Sequence, residues 1–146
     1  MSNGLVTYEL RDGVAVIQMD DGKVNALSHE MLKALDGALD QAAGEARAVV
    51  LAGRPGRFCA GFDLKTMMAS ADSAVNLLRA GADVMMRIYG FELPVIVACS
   101  GHAIAGGALL NLCGDVRIGL EGDFKVGLNE VAIQMPLPIL AIEMAR

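Results

Sequence analysis

The chain has 146 residues, 54% of them hydrophobic, and a formal net charge of −5. That length and apolar content favour one domain with a real core and exclude a disordered chain. The acidic balance argues against broad nucleic-acid binding, which needs a basic footprint, but it leaves room for an anionic ligand held by local Lys and Arg side chains. Three cysteines (Cys59, Cys99, Cys113) without a Cys-x-x-Cys pair, and no signal peptide, fit reduced thiols in a cytoplasm. His29 and His102 are the only histidines and have no ligand-like spacing, so no metal site is expected.

Residues 6–10 and 14–19 read as two strands joined at Asp12-Gly13, a hairpin. A polar loop over 20–23 follows. Ser28 then suits the N-cap of a helix running to about Ala43, with Met31, Leu35 and Leu39 on one face. Residues 48–52 form an apolar strand that ends in a turn over 53–56. The stretch 63–87 is mostly helical in pattern, weakest around 70–73, and Pro94 is expected to stop it. Residues 95–99 read as a strand. A glycine turn, a helix to about Cys113, a strand over 116–119 and a last helical segment over 139–146 follow.

Residues 95–114 carry no Asp, Glu, Lys or Arg, and length alone would let them cross a membrane. Four glycines in that run, with Ser100, His102 and Asn111, favour a buried core instead. Strands alternating with helices imply an α/β layered domain with crossover connections. The segment 139–146 reads as a helix cut in its middle, with no C-cap glycine, so a truncated chain is expected.

The chemistry concentrates in two segments. Cys99-Ser-Gly-His-Ala-Ile-Ala-Gly-Gly107 reads as a strand end, a glycine turn and a helix start. Gly106 and Gly107 allow close approach to the backbone, and the helix they open offers unpaired N–H groups. A second such turn lies at Arg57-Phe-Cys-Ala-Gly-Phe-Asp-Leu64. N–H donors from two separate turns make an oxyanion hole. Competing motifs are poor. No Gly-x-Ser-x-Gly elbow surrounds Ser100 and His102, and the spacing Gly101 to Gly106 lacks the Lys-Ser/Thr of a phosphate loop.

Four motifs carry a resemblance: Asn25-Ala-Leu27, Phe58-Cys-Ala-Gly-Phe-Asp-Leu64, Ser100-Gly-His-Ala-Ile-Ala-Gly-Gly107 and Gly127-Leu-Asn-Glu130. In this order they resemble the crotonase family, also called enoyl-CoA hydratase/isomerase, and are closest in motif to its 3,2-enoyl-CoA isomerases. The resemblance implies the ClpP/crotonase spiral of ββα units, with residues 1–146 as a core domain. The family's C-terminal helices, which cover the site and build a homotrimer or dimer of trimers, have no counterpart here. It implies an acyl-CoA substrate of fatty-acid metabolism, whose coenzyme A belongs to the thioester, and no other cofactor.

By the same resemblance the backbone N–H groups of Phe62 and Gly106 form the oxyanion hole, and Glu130 is the catalytic acid–base. Leu109 stands where the family has a second glutamate. A side chain that cannot move a proton favours isomerisation of a 3-enoyl-CoA to a 2-enoyl-CoA over hydration. Lys23, Asn25, Ala26, Ala60, Asp63, Leu64, Lys65, Gly107 and Leu109 are expected along the substrate and its coenzyme A. The alternatives are a hydratase, a non-catalytic acyl-CoA-binding homologue, or other enolate chemistry on this scaffold.

Plainer roles compete for several residues. Glu130 read alone is a solvated loop carboxylate. Asp63 and Asp115 suit holding backbone N–H groups, and Cys59 suits packing. Met67, Met68, Met85 and Met86 suit the core better than an acyl pocket.

Overall fold

The structure is a computed structural model that describes residues 4–146. Strands β1 (Val6–Arg11) and β2 (Val14–Met19) pair antiparallel from Val6↔Met19 to Arg11↔Val14. Asp12 and Gly13 both have positive φ, at 50° and 81°, as a tight hairpin between twisted strands requires. Alternation in β2 buries Ala15, Ile17 and Met19.

Three strands then join in parallel: β4 (Ala48–Ala52), β7 (Val95–Cys99) and β9 (Val116–Gly119), giving the order β1-β2-β4-β7-β9. A second sheet has the order β10-β8-β5, from β5 (Gly56–Cys59), β8 (Gly101–Ile104) and β10 (Val126–Gly127). A two-residue pair, β3 (Ala26–Leu27) with β6 (Gly61–Phe62), forms a third. The chain thus makes a strand in the large sheet, then one in the small sheet, then a helix, and repeats. This is the strand–strand–helix spiral expected.

Helix α1 (His29–Glu45) starts where Ser28 Oγ accepts from Met31 N at 3.2 Å, and it buries Met31, Leu35 and Leu39 against the sheet. The single helix expected over 63–87 is two: α2 (Leu64–Met67) and α3 (Ala71–Tyr89). Asp63 caps the first through Thr66 N, and Ser70 caps the second through Ser73 N, so two side-chain acceptors compete with a continuous helix. Gly90, not Pro94, ends α3. Arg87 ties α3 to α1 through Asp36 and, at 2.6 Å, Asp40.

The two expected glycine turns are also shorter than the sequence suggests. Residues 56–59 and 101–104 are strands β5 and β8, and β10 was not expected at all. Strands of two to four residues rich in glycine show no periodicity to read. Helix α4 is Gly106–Leu112 and α5 is Ile139–Ala145. The uncharged run 95–114 becomes β7, β8 and α4, with Val95, Val97, Ala103, Leu109 and Leu110 in the core. Among the described residues no helix is long and apolar enough to cross a membrane.

Candidate active site

The parallel pairing of β5 with β8 runs from Gly56↔Gly101 to Cys59↔Ala103, with an irregularity between Arg57 and Cys59. Strands in that register deliver the segments that follow them, 60–63 with β6 and 105–106 at the start of α4, to the same end of the sheet. The two backbones touch there. A Cβ added to Gly61 would stand 3.0 Å from Ile104 O and 3.2 Å from Gly106 N. One added to Gly107 would stand 2.1 Å from Cys59 O, closer than any carbon and oxygen pack. Only glycine lets these turns meet.

Ala105, between β8 and α4, has φ 52° and ψ −123°, a conformation unfavourable to any residue with a side chain. Its surroundings hold it there. Ala105 N donates to Gly127 O at 3.0 Å, and Ala105 O accepts from Ala108 N at 2.9 Å and Leu109 N at 3.2 Å. Gly106, as the first residue of α4, has no acceptor for its N–H within that helix.

The bond from Ala105 to Gly127 also brings up the Gly127-Leu-Asn-Glu130 loop. Glu130 is only 8% exposed, and its Oε2 has no hydrogen-bond partner among the described residues. A buried carboxylate oxygen left unpaired is costly, and such positions persist where the group has a task. Glu130 lines a cavity of about 380 Å³ together with Phe62, Ala105 and Leu109, and apolar walls from Leu64, Met67 and Leu78. Glu130 is the one acidic side chain among the described residues around it. Leu109, 2% exposed, faces the same space. The arrangement is an apolar cavity with one carboxylate, lined by Phe62 from one segment and Ala105 from the other, with Gly106 one residue beyond the lining.

The other expected residues fall into three groups. Ala60 and Leu64 line the cavity with Phe62 and Leu109. A second group builds its wall. Asn25 has φ 57° and is fully buried. Its Nδ2 donates to Met19 O (3.0 Å), Phe58 O (3.1 Å) and Arg57 O (3.2 Å), and its Oδ1 accepts from Asp21 N (3.0 Å). That side chain is therefore out of reach of a ligand, contrary to the expectation, and ties β5 to β2. Ala26 pairs with Gly61, and Gly107 packs on Cys59 O.

Asp63 Oδ2 accepts from Thr66 Oγ1 at 2.6 Å and Thr66 N at 2.9 Å. These bonds hold its carboxyl below the usual carboxylate range and give it a capping role. A third group, Lys23 and Lys65, is exposed and outside the cavity lining.

The plainer readings can be placed too. Burial pushes the Cys59 thiol up to about 12, so it is no nucleophile at neutral pH. Asp115 accepts from Val95 N at 2.8 Å. Ser100 donates to Arg54 O, while His102 Nδ1 accepts from Lys125 N, so they form no catalytic pair. Of the methionines expected in the core, Met85 is there; Met67 lines the cavity and Met68 is 83% exposed. Sequence reasoning missed Leu78, Met135 and Leu137 as cavity residues. The apolar stretch after Glu130, Met135-Pro-Leu137, was a usable signal.

Comparison with known proteins agrees with this geometry. The profile of the Enoyl-CoA hydratase/isomerase family matches residues 9–135. A probable enoyl-CoA hydratase of Rhodobacter capsulatus is 40% identical over 123 residues, covering 83% of this chain and 48% of its own length. Human mitochondrial enoyl-CoA delta isomerase 1 is 32% identical over 139 residues, covering 92% of this chain and 46% of its own. The crystal structure of an enoyl-CoA hydratase/isomerase family protein from Pseudomonas syringae superposes with a TM-score of 0.95 at 46% identity, over 97% of this chain and 62% of that one. The chain spans about half the length of these curated relatives. With a family match across most of its residues and the same fold as a solved member, the chain belongs to the enoyl-CoA hydratase/isomerase (crotonase) family.

Proposed function

We propose that the chain carries the chemistry of a 3-enoyl-CoA to 2-enoyl-CoA isomerase. The observation behind this is the cavity's single carboxylate, Glu130, with an unpartnered Oε2, facing a site where Leu109 offers no second acid. The thioester oxygen accepts from the N–H groups of Phe62 and Gly106. Glu130 takes a proton from C2, and the electron pair of that C–H bond delocalises onto the oxygen as an enolate. The same carboxyl returns the proton to C4, so the C3–C4 double bond moves to C2–C3. The donors stabilise charge only as it develops, which lowers the barrier rather than tightening ground-state binding. One carboxylate acts as base and then as acid.

Leu109 and the apolar walls keep water from the enolate. Lys23 and Lys65 meet the phosphates of coenzyme A at the surface. No cofactor beyond that coenzyme A takes part. The working protein is a cytoplasmic homotrimer or dimer of trimers.

A second reading has its own support. The 40% identical relative is named a probable enoyl-CoA hydratase, and Asn129 gives the cavity another polar side chain able to hold a water. The test uses a 3-enoyl-CoA, read by the absorbance that grows as the double bond conjugates with the thioester, with a 2-enoyl-CoA in parallel to detect hydration. Isomerisation that is lost in Glu130→Gln while binding remains supports the proposal. Hydration of the 2-enoyl-CoA without isomerisation replaces it with the hydratase reading. Binding with no turnover replaces it with a non-catalytic acyl-CoA-binding role.

A further inference from the structure

We infer that Phe62 is a positioning residue through its ring as well as a donor through its backbone: gripped between Gly81 and Gly106, the ring sets the spacing of the two thioester-facing N–H groups. The inference rests on the proposed function for the meaning of those two groups.

Its geometry stands independently. Gly81 lies in the interior of α3 and is buried. Glycine inside a helix is less favourable than alanine, and no turn or positive φ asks for it. The ring of Phe62 does. A Cβ on Gly81 would stand 2.2 Å from Phe62 Cε1 and 2.5 Å from Cζ. A Cβ on Gly106 would stand 2.9 Å from Cδ2 and from Cε2, on the ring's other edge. Two side-chain-free surfaces on two helices therefore hold opposite edges of one rigid ring.

The backbone around Phe62 needs such a hold. Strand β6 is two residues long and pairs only with the equally short β3, through Ala26↔Gly61 and Leu27↔Phe62. A ladder that short fixes orientation poorly. The ring reaches Gly106, the other donor residue, so one side chain spans both halves of the proposed hole. It also reaches α3, which carries Leu78 in the cavity wall, so donors and acyl wall move as one body.

The experiment compares wild type, Gly81→Ala, Phe62→Ala and the double variant. Three readouts are the isomerisation kinetics, thermal stability, and the absorbance shift of a bound aryl-acryloyl-CoA thioester, which reports polarisation of the thioester carbonyl. The expected result is that Gly81→Ala lowers kcat by about 10- to 100-fold with KM within about threefold, because a misaimed donor costs transition-state binding. The probe's red shift shrinks in parallel. In the Phe62→Ala background the added methyl meets no ring, and Gly81→Ala then costs nothing further.

Equal losses from Gly81→Ala in both backgrounds overturn the inference. So does a Gly81→Ala variant that melts earlier but keeps kcat and the red shift, since the ring is then packing alone. A wild type that binds the probe with neither shift nor turnover overturns the proposed function and this inference together. A wild type that turns over beside an unaffected Gly81→Ala overturns this inference only.

Discussion

Replacing Asn25 by alanine tests how the segment that leads to Phe62 is held in place. The Asn25 amide has two hydrogens and is shared among Met19 O, Arg57 O and Phe58 O, all within 3.2 Å; Asn25 itself is 0% exposed, and its bonds to Met19 O and Phe58 O are buried. Truncation leaves at least two carbonyls without a donor. At about 1–3 kcal/mol for each buried group left unpaired, the loss is about 2–6 kcal/mol. Alanine at φ 57° adds strain that asparagine tolerates better. For a domain of this size about 2–4 °C accompanies each kcal/mol, so the melting temperature should fall by about 4–24 °C.

The assay is a pair of thermal and urea melts, with Asn25→Gly as the control that removes the amide but not the tolerance for positive φ. Asn25→Gly should recover a small part of the loss and Asn25→Ala none. A urea midpoint shift worth less than about 1 kcal/mol at unchanged slope would refute the reasoning, because the three carbonyls would then have other donors.

Two further perturbations test other parts of the account. Leu109→Glu puts a second carboxylate into the cavity. Hydration of a 2-enoyl-CoA should rise relative to isomerisation, and a folded variant whose product ratio is unchanged denies Leu109 the role of excluding water. Asp21 is pushed up by partial burial but drawn lower overall by the N–H groups of Asn25, Lys23 and Ala26. A depressed carboxyl contributes stability that is whole above the ordinary value of 3.8 and is lost as pH falls through the lower folded value. Melting temperature against pH should therefore fall less steeply below pH 3.8 in Asp21→Asn than in the wild type. Parallel acid slopes would contradict this.

The legible parts of the fold were those whose local signals agree. Ser28 with Met31, Leu35 and Leu39 gave helix, face and start together, and the alternation of β2 gave both a strand and its buried side. The small sheet was illegible. Strands β5, β8 and β10 are short, glycine-rich, and stabilised by each other rather than by their own patterning. The stretch 63–87 reads as one helix weakest at 70–73, and the break falls beside that weak region, where the capping side chains of Asp63 and Ser70 start two separate helices.

The candidate site was legible as motifs but not as roles. Asn25 belongs to a motif, yet only the three-dimensional contacts show that its amide is spent on three carbonyls. Glu130 looks like a surface loop residue in sequence, yet it is 8% exposed and faces a cavity that Met135 and Leu137 also line. Met135 N donates to Glu130 O at 2.9 Å and closes the turn between them. Gly81 carries no signal in sequence, since an interior helix glycine reads as a defect until the Phe62 ring is seen beside it.

The central claim is that one carboxyl, Glu130, carries a proton from C2 to C4. The direct measurement is isomerisation of a 3-enoyl-CoA carrying deuterium at C2, run in light water, with the position of the label read in the product. The account predicts that part of the label lost from C2 appears at C4, and that turnover collapses in Glu130→Gln. Product with no transferred label above solvent washout, formed at the wild-type rate by Glu130→Gln, would contradict it.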